Sequence, residues 1–122
     1  YYLCSQKSFT CEGESGMNKI KGIMTELRTN PPTEINGHKV VKRDDYDTSV
    51  SYDTVNGVEN KITLPKSNVL CYYMEDGSSL IVRPSGTEPK IKMYLGSVEK
   101  TMESSEKELS LLADVGTKLL GF

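Results

Sequence analysis

A loop of unusual composition lies between two short stretches that are predicted to be strands. Residues 83–90 read Arg-Pro-Ser-Gly-Thr-Glu-Pro-Lys. The two prolines fix φ and cannot donate to a sheet ladder, and Gly86 lets backbone N–H groups come close to a ligand. Ser85 and Thr87 each offer a hydroxyl donor, and Arg83 offers a planar fork that matches two oxygens of a phosphate. These features predict an anion-binding loop.

Two lysines extend the positive charge of this loop. Lys90 and Lys92 lie two residues apart, so both are predicted on the same face of the strand that follows. Glu88 has the opposite charge, and its role is open from the sequence. A proline-rich hairpin loop that binds no ligand is the alternative interpretation of the same residues.

The stretch 83–94 continues as Arg-Pro-Ser-Gly-Thr-Glu-Pro-Lys-Ile-Lys-Met-Tyr. It resembles the phosphate-binding loop of the α-D-phosphohexomutases, the phosphoglucomutase and phosphomannomutase family. Shorter stretches at 12–16, 36–37 and 76–77 are similar to the same family but much less specific. The resemblance implies that residues 1–122 form one domain, the last of four, with a fold similar to that of TATA-binding-protein repeats.

The resemblance also implies a function. The parent protein would interconvert hexose 1-phosphates and 6-phosphates by intramolecular phosphotransfer, with a phosphoserine on the first domain, Mg²⁺ on the second and sugar recognition on the third. Its expected partners are glucose or mannose phosphate and the other three domains of the same chain. This domain would bind the phosphate that is not reacting. The residues implied in that binding are Arg83, Ser85, Gly86, Thr87, Lys90 and Lys92.

The composition sets limits on other functions. The chain has 122 residues, enough for one domain, and it starts with Tyr-Tyr rather than Met, so we expect a fragment that is inactive by itself. With 15 basic and 17 acidic residues the net charge is −2, which argues against nucleic-acid binding. No apolar run is long enough for a membrane span. We expect no catalytic residue, metal ligand or cofactor in this chain.

The cysteines and the single histidine give no further site. Cys4, Cys11 and Cys71 are odd in number and lack zinc-site spacing, so we expect three reduced thiols and a cytoplasmic protein. His38 stands alone beside the Asn36-Gly37 turn, where a surface histidine is expected.

The hydrophobic patterns predict an α+β domain in the order β-α-β-β-β-β-α, with an antiparallel sheet and two helices on one face. Ser15 is a candidate N-cap for a helix with Met17, Ile20, Ile23, Met24 and Leu27 on its apolar side. Residues 99–103 begin a second helix, in which the predicted buried stripe consists of Met102, Leu109, Leu112 and Leu119. Ile91, Met93 and Leu95 are predicted to face the core, and Lys92 and Tyr94 to face solvent or ligand.

Between the helices, residues 44–67 are predicted to form a long, mobile connection with a loose hairpin around Asn56-Gly57. A protein-interaction module that uses the 44–60 stretch is one alternative function. A nucleic-acid module is another, because Gly-Glu-Ser-Gly at 13–16 has the shape of a KH-type loop, although Glu14 is unfavourable there. Neither a Gly-x-Gly-x-x-Gly nor a Walker pattern occurs.

Overall fold

An antiparallel sheet with two helices makes up the computed structural model, which describes residues 2–11, 13–85 and 87–122. The α+β prediction is confirmed, but the described residues form eight strands rather than the five predicted. The elements, in chain order, are β1 (Tyr2–Thr10), α1 (Gly16–Thr29), β2 (Glu34–Ile35), β3 (His38–Asp45), β4 (Val50–Asp53), β5 (Val58–Lys61), β6 (Leu70–Met74), β7 (Ser79–Pro84), β8 (Lys90–Val98) and α2 (Met102–Leu119).

The strands are not ordered along the sheet as they are along the chain. Their order is β1-β8-β7-β6-β3-β4-β5, and β2 pairs with β3. Every pairing is antiparallel. The first strand lies along the whole of β8, with Tyr2 opposite Val98 and Thr10 opposite Lys90. As a result β7 and β8, which carry the predicted anion-binding loop, lie in the interior of the sheet.

Both helices cover one face of this sheet, as predicted. On β7 and β8 the alternating pattern places every second side chain under the helices. Ile91, Met93 and Leu95 are buried as predicted, together with Leu80 and Val82 of the neighbouring strand. Burial of each such aliphatic side chain contributes about 1.5–3 kcal/mol relative to exposure, so this face holds most of the core around the loop.

Helix α1 agrees with its predicted pattern except at its first turn. Ile20, Met24 and Leu27 are buried at the expected spacing. Ser15 does occupy the N-cap position, but its side chain makes no capping hydrogen bond. The N-cap residue was therefore predicted correctly, but the expected capping hydrogen bond is absent.

Helix α2 begins at Met102, within the predicted range, and buries most of the predicted stripe, since Leu109 and Leu119 are partly buried against the core. Thr101 is its N-cap and accepts a hydrogen bond from the backbone N–H of Ser104. Met102 is therefore the first residue of the helix, and its side chain is 50% exposed, so its placement in the buried stripe was wrong. Leu112 is buried as predicted, and small residues at Ser105 and Gly116 are buried with it.

The polar stretch after β3 is not simply a connection. The prediction of a loop for residues 44–67 is corrected by β4 and β5, which form a hairpin that pairs with β3 and extends the sheet. The hairpin turns at Asn56-Gly57 as expected. No residue of β5 is buried, so the stretch lacks the alternation that marks a strand with one face in a core. The mobility of this stretch stays a prediction.

Within the described residues, neither helix combines the length and the apolar character that crossing a membrane would require.

Candidate functional site

The predicted anion-binding loop joins β7 and β8, which are neighbours in the interior of the sheet. We call residues 85–89 the β7–β8 loop. Its neck is closed by a hydrogen bond from the Ser85 backbone N–H to the Lys90 carbonyl (2.9 Å), and the Lys90 N–H donates to the Glu88 carbonyl (2.7 Å). Gly86, one of the predicted phosphate-binding residues, lies outside the described residues.

The side chains next to the loop converge on the sheet face that the helices leave open. Arg83 is directly opposite Lys92 in the β7–β8 register. Because Val82 and Met93 point toward the helices, Arg83 and Lys92 must point away from them. A shallow cavity of about 240 Å³ forms at this place. Its lining consists of Arg83, Pro84, Ser85, Lys92 and Tyr94.

Three of the predicted binding residues thus lie together, namely Arg83, Ser85 and Lys92. Thr87 is exposed on the loop but does not line the cavity, and neither does Lys90. Tyr94 also lines it; this residue was predicted to face solvent or ligand but was not included in the predicted binding set. The signal was available, since Tyr94 lies two residues after Lys92 on the same strand and therefore on the same face.

The two cations at the cavity differ electrostatically from Lys90. Among the described residues, no carboxylate lies within ion-pair distance of Arg83 or Lys92. The Lys90 ammonium is instead 3.1 Å from Glu88, with these side chains 47% and 59% exposed. Such an exposed pair contributes roughly 0–1 kcal/mol. Glu88 therefore offsets Lys90 and leaves the positive charge of Arg83 and Lys92 available to an anion.

The loop is held in place from the side of α1. The Cys11 N–H donates to the Pro89 carbonyl at 2.7 Å. Gly16, the first residue of α1, is buried at this contact, and a Cβ placed on it would overlap the Cys11 carbonyl oxygen and lie 3.0 Å from the Pro89 Cβ. Only glycine fits there without displacing backbone, because a backbone oxygen cannot rotate away as a side chain can. This contact fixes the C-terminal half of the loop against the helix.

The buried Cys71 thiol shows no feature of a nucleophile. All three cysteines are free, with Cys4 exposed and Cys11 and Cys71 buried. Burial, together with the nearby Asp44 carboxylate, raises the pKa of the Cys71 thiol to about 11. At neutral pH that thiol stays protonated and unreactive.

His38 is not isolated in the structure. Its Nε2 atom lies 3.4 Å from Asp76 Oδ2 and 3.8 Å from Glu108 Oε2, and these three residues form a group that could hold a metal ion. No sequence pattern connects these residues, which are far apart in the chain. By contrast, Asp44 and Asp45 of the acidic stretch are engaged by Ser51 and Arg28, respectively.

Comparison with known proteins gives the family of the chain. Residues 20–109 match the family model described as "Phosphoglucomutase/phosphomannomutase, C-terminal domain". The chain is 47% identical over 88 residues to a phosphoglucomutase of Staphylococcus epidermidis (strain RP62A) and 48% identical over 88 residues to that of Staphylococcus aureus (strain USA300). In both comparisons the match covers 72% of this chain and 16% of the relative.

The chain therefore belongs to the phosphoglucomutase/phosphomannomutase family and contains its C-terminal domain. The expected family is confirmed. The matched segment spans only 16% of the length of the two relatives, so most of each relative has no counterpart in the alignment.

Proposed function

We propose that this domain binds the phosphate group of a sugar phosphate in the cavity beside the β7–β8 loop. The supporting observation is the pair Arg83 and Lys92, which are opposite each other on the open face with no carboxylate among the described residues to neutralise them. Arg83 would pair with two phosphate oxygens, and the hydroxyls of Ser85 and Thr87 would donate to the remaining ones. The N–H groups around Gly86 would complete the site.

The roles of the other side chains follow from their positions. Lys92 would contact the phosphate directly, because it lines the cavity with Arg83. Lys90 would add only longer-range attraction, since Glu88 offsets its charge. Tyr94 lines the cavity two residues after Lys92 on β8. Its phenol group would contact the sugar or a phosphate oxygen.

The parent protein is proposed to be a phosphoglucomutase or phosphomannomutase that interconverts hexose 1-phosphate and 6-phosphate by intramolecular phosphotransfer. The relatives named phosphoglucomutase support this assignment. In this proposal the domain binds the phosphate that is not reacting, and the other three domains supply the chemistry. The isolated chain would then be inactive. The free cysteines support a cytoplasmic location.

Magnesium in the parent enzyme would be bound by another domain. Mg²⁺ is bound mainly by oxygen ligands in octahedral geometry. The group of side chains among the described residues that could hold a metal includes the His38 imidazole, so it does not fit that preference. Nothing in the phosphate-binding role proposed for this domain requires the ion.

The test is Arg83→Ala in the full-length parent protein. Hydrogen bonds to charged groups contribute roughly 1.5–3 kcal/mol, so kcat/KM for the sugar phosphate should fall by about 10- to 100-fold. Arg83→Lys should recover only part of the loss, because an ammonium keeps the charge but lacks the fork. Lys107→Ala, which removes an exposed cation from α2, serves as the matched control and should leave the kinetics unchanged.

The isolated chain permits an independent check. Titration with glucose 6-phosphate should shift the backbone amide signals of residues 83–94 before those of the rest of the sheet. Normal kinetics of Arg83→Ala, or shifts confined to other regions, would exclude the proposed site. Retention of the chain on heparin that weakens with salt would instead favour the alternative of a nucleic-acid-binding module.

A further inference from the structure

Three ionisable side chains meet at the end of the sheet opposite the β7–β8 loop. His38 begins β3, Asp76 lies in the turn between β6 and β7, and Glu108 lies near the middle of α2. One ligand atom from each residue lies within 4.8 Å of the other two. We propose that these residues form a binding site for a divalent transition metal ion of the Zn²⁺ class.

The choice of metal follows from the donor atoms and their spacing. An imidazole with two carboxylates is a ligand set used by Zn²⁺, at bond lengths of about 2.0–2.1 Å for His and about 2.0–2.2 Å for carboxylate. Two such ligands at a tetrahedral angle stand roughly 3.3–3.4 Å apart. The separation of His38 Nε2 and Asp76 Oδ2 is 3.4 Å, and that of His38 Nε2 and Glu108 Oε2 is 3.8 Å. The second distance closes with a small rotation of the glutamate side chain.

Hydrogen bonds hold the proposed ligands in this arrangement. The backbone N–H of Ser78 donates to Asp76 Oδ1 at 3.0 Å, which leaves Oδ2 toward His38. The side-chain amide of Asn36 donates to Glu108 Oε2 at 3.1 Å. Such outer contacts fix the orientation of metal ligands and are part of most metal sites.

The backbone around the site is fixed as well. The Glu75 N–H donates to the Lys39 carbonyl at 2.9 Å, which ties the start of β3 to the turn that carries Asp76. The Gly77 N–H closes the same turn on the Met74 carbonyl at 3.0 Å. Two of the three ligands are therefore placed by hydrogen-bonded backbone before any ion binds.

The site is open enough to load. The side chains of His38, Asp76 and Glu108 are 32%, 20% and 30% exposed, so an ion can enter from solvent and water can complete its coordination. A bound ion would join α2 to two turns at this end of the sheet. It would lie away from Arg83 and Lys92, so this inference is independent of the proposed phosphate binding.

The first experiment titrates the metal-free chain with Zn²⁺ alone, by calorimetry and by thermal unfolding. Cys4 is an exposed thiol that could bind zinc, so the measurements use the Cys4→Ser background. We expect one equivalent to bind and the Tm to rise with zinc concentration. Substitution by Co²⁺ should give the visible absorption bands of a tetrahedral site.

Variants then assign the ligands. His38→Ala and Glu108→Gln should each weaken Zn²⁺ binding by at least about tenfold. Glu106→Gln removes the same charge from an exposed position on α2 and should bind Zn²⁺ normally. Because glutamine has the size of glutamate and its amide oxygen can still accept the hydrogen bond from Asn36, Glu108→Gln keeps the test valid if His38→Ala fails to fold. Absence of zinc binding in Cys4→Ser, or equal binding by Glu108→Gln and Glu106→Gln, would overturn the proposal.

Discussion

The two faces of strands β7 and β8 differ in both chemistry and exposure. Toward the helices the side chains are aliphatic and at most 2% exposed, and they comprise Leu80, Val82, Ile91, Met93 and Leu95. Away from the helices are Arg83, Lys92 and Tyr94, which line an open cavity. Because successive residues of a strand point to opposite faces, the same two strands both pack the core and form the candidate site. Substitutions on one face should thus change stability, and those on the other should change binding.

Two arginines illustrate the difference. Arg28, in the last turn of α1, donates from Nε and Nη2 to both oxygens of Asp45 and from Nη2 to Asn68. Arg83, on the open face, has no carboxylate partner among the described residues. The first guanidinium is engaged in holding α1 to the sheet, and the second is available to a ligand.

The largest expected change in the free energy of unfolding separates two consecutive residues of β7 that point to opposite faces. Leu80→Ala leaves a cavity under the helices and should lower the free energy of unfolding by about 2–5 kcal/mol. Ile81→Ala, on the open face and only half-buried, should cost less than half as much. Urea denaturation of both variants measures the difference, and equal losses would contradict the division into two faces.

A smaller loss of stability is expected where Gly116 of α2 packs against the covered face. A Cβ on Gly116 would lie 2.9 Å from Leu80 Cδ1 and 3.0 Å from Met93 Cε. Gly116→Ala should therefore destabilise by about 1–3 kcal/mol. Gly22 lies on the exposed side of α1 with no atom within 4 Å of such a Cβ, so Gly22→Ala should stabilise by about 0.5–1 kcal/mol. Thermal unfolding compares the two, and a stabilising Gly116→Ala would show that this packing is loose.

Loss of the ion pair between Arg28 of α1 and Asp45 of β3 should lower the free energy of unfolding by about 1 kcal/mol, and this loss should depend on pH. Burial raises the pKa of Asp45, but the Arg28 guanidinium and the N–H groups of Asp47 and Thr48 outweigh it, so the pKa lies below its ordinary value. A carboxyl with a lowered folded-state pKa stabilises the fold above its unfolded pKa, about 3.9, and loses that contribution as pH falls through the folded pKa.

Asp45→Asn should accordingly be less stable than the parent chain at pH 7, and the gap should narrow below about pH 4. Urea denaturation at a series of pH values measures this difference in the free energy of unfolding. Glu106→Gln, which removes an exposed carboxylate, is the matched control and should show little change with pH. A gap that stays constant into acid would mean that the charge of Asp45 does not matter.

The smallest effect concerns a polar atom on the covered face. The Tyr72 hydroxyl is buried and has no hydrogen-bond partner among the described residues, and a cavity of about 50 Å³ adjoins it. Tyr72→Phe removes an unsatisfied group and should change the free energy of unfolding by less than about 0.5 kcal/mol, or raise it. A clear loss of stability would instead point to a bound water that pairs with this hydroxyl.

The division into two faces could be predicted from the sequence on β8, because Ile91, Met93 and Leu95 alternate with Lys92 and Tyr94 there. It could not be predicted for β5, which has no buried side and so no alternation. Met102 was misplaced because its spacing fits the apolar stripe, whereas the cap at Thr101 puts it in the first turn, beyond the core.

The parts of the candidate site that depend on residues close together in the sequence could be predicted. The loop motif and the position of Lys92 on the ligand-facing side come from adjacent residues. The convergence of His38, Asp76 and Glu108 depends on strand order and helix docking, which no local pattern encodes. The same is true of the contact between Cys11 and Pro89.

The place of β1 in the sheet has a consequence for how the domain folds. The hairpins β4–β5, β6–β7 and β7–β8 each close over a few residues, whereas Tyr2 must find Val98 before β1 can pair. Pairings between distant parts of a chain form slowly, since the entropy of closing the intervening loop comes first. The Cys11 N–H that secures Pro89 follows directly after β1. We therefore expect the chain to acquire its competence for ligand binding late in folding, after most of the sheet has formed.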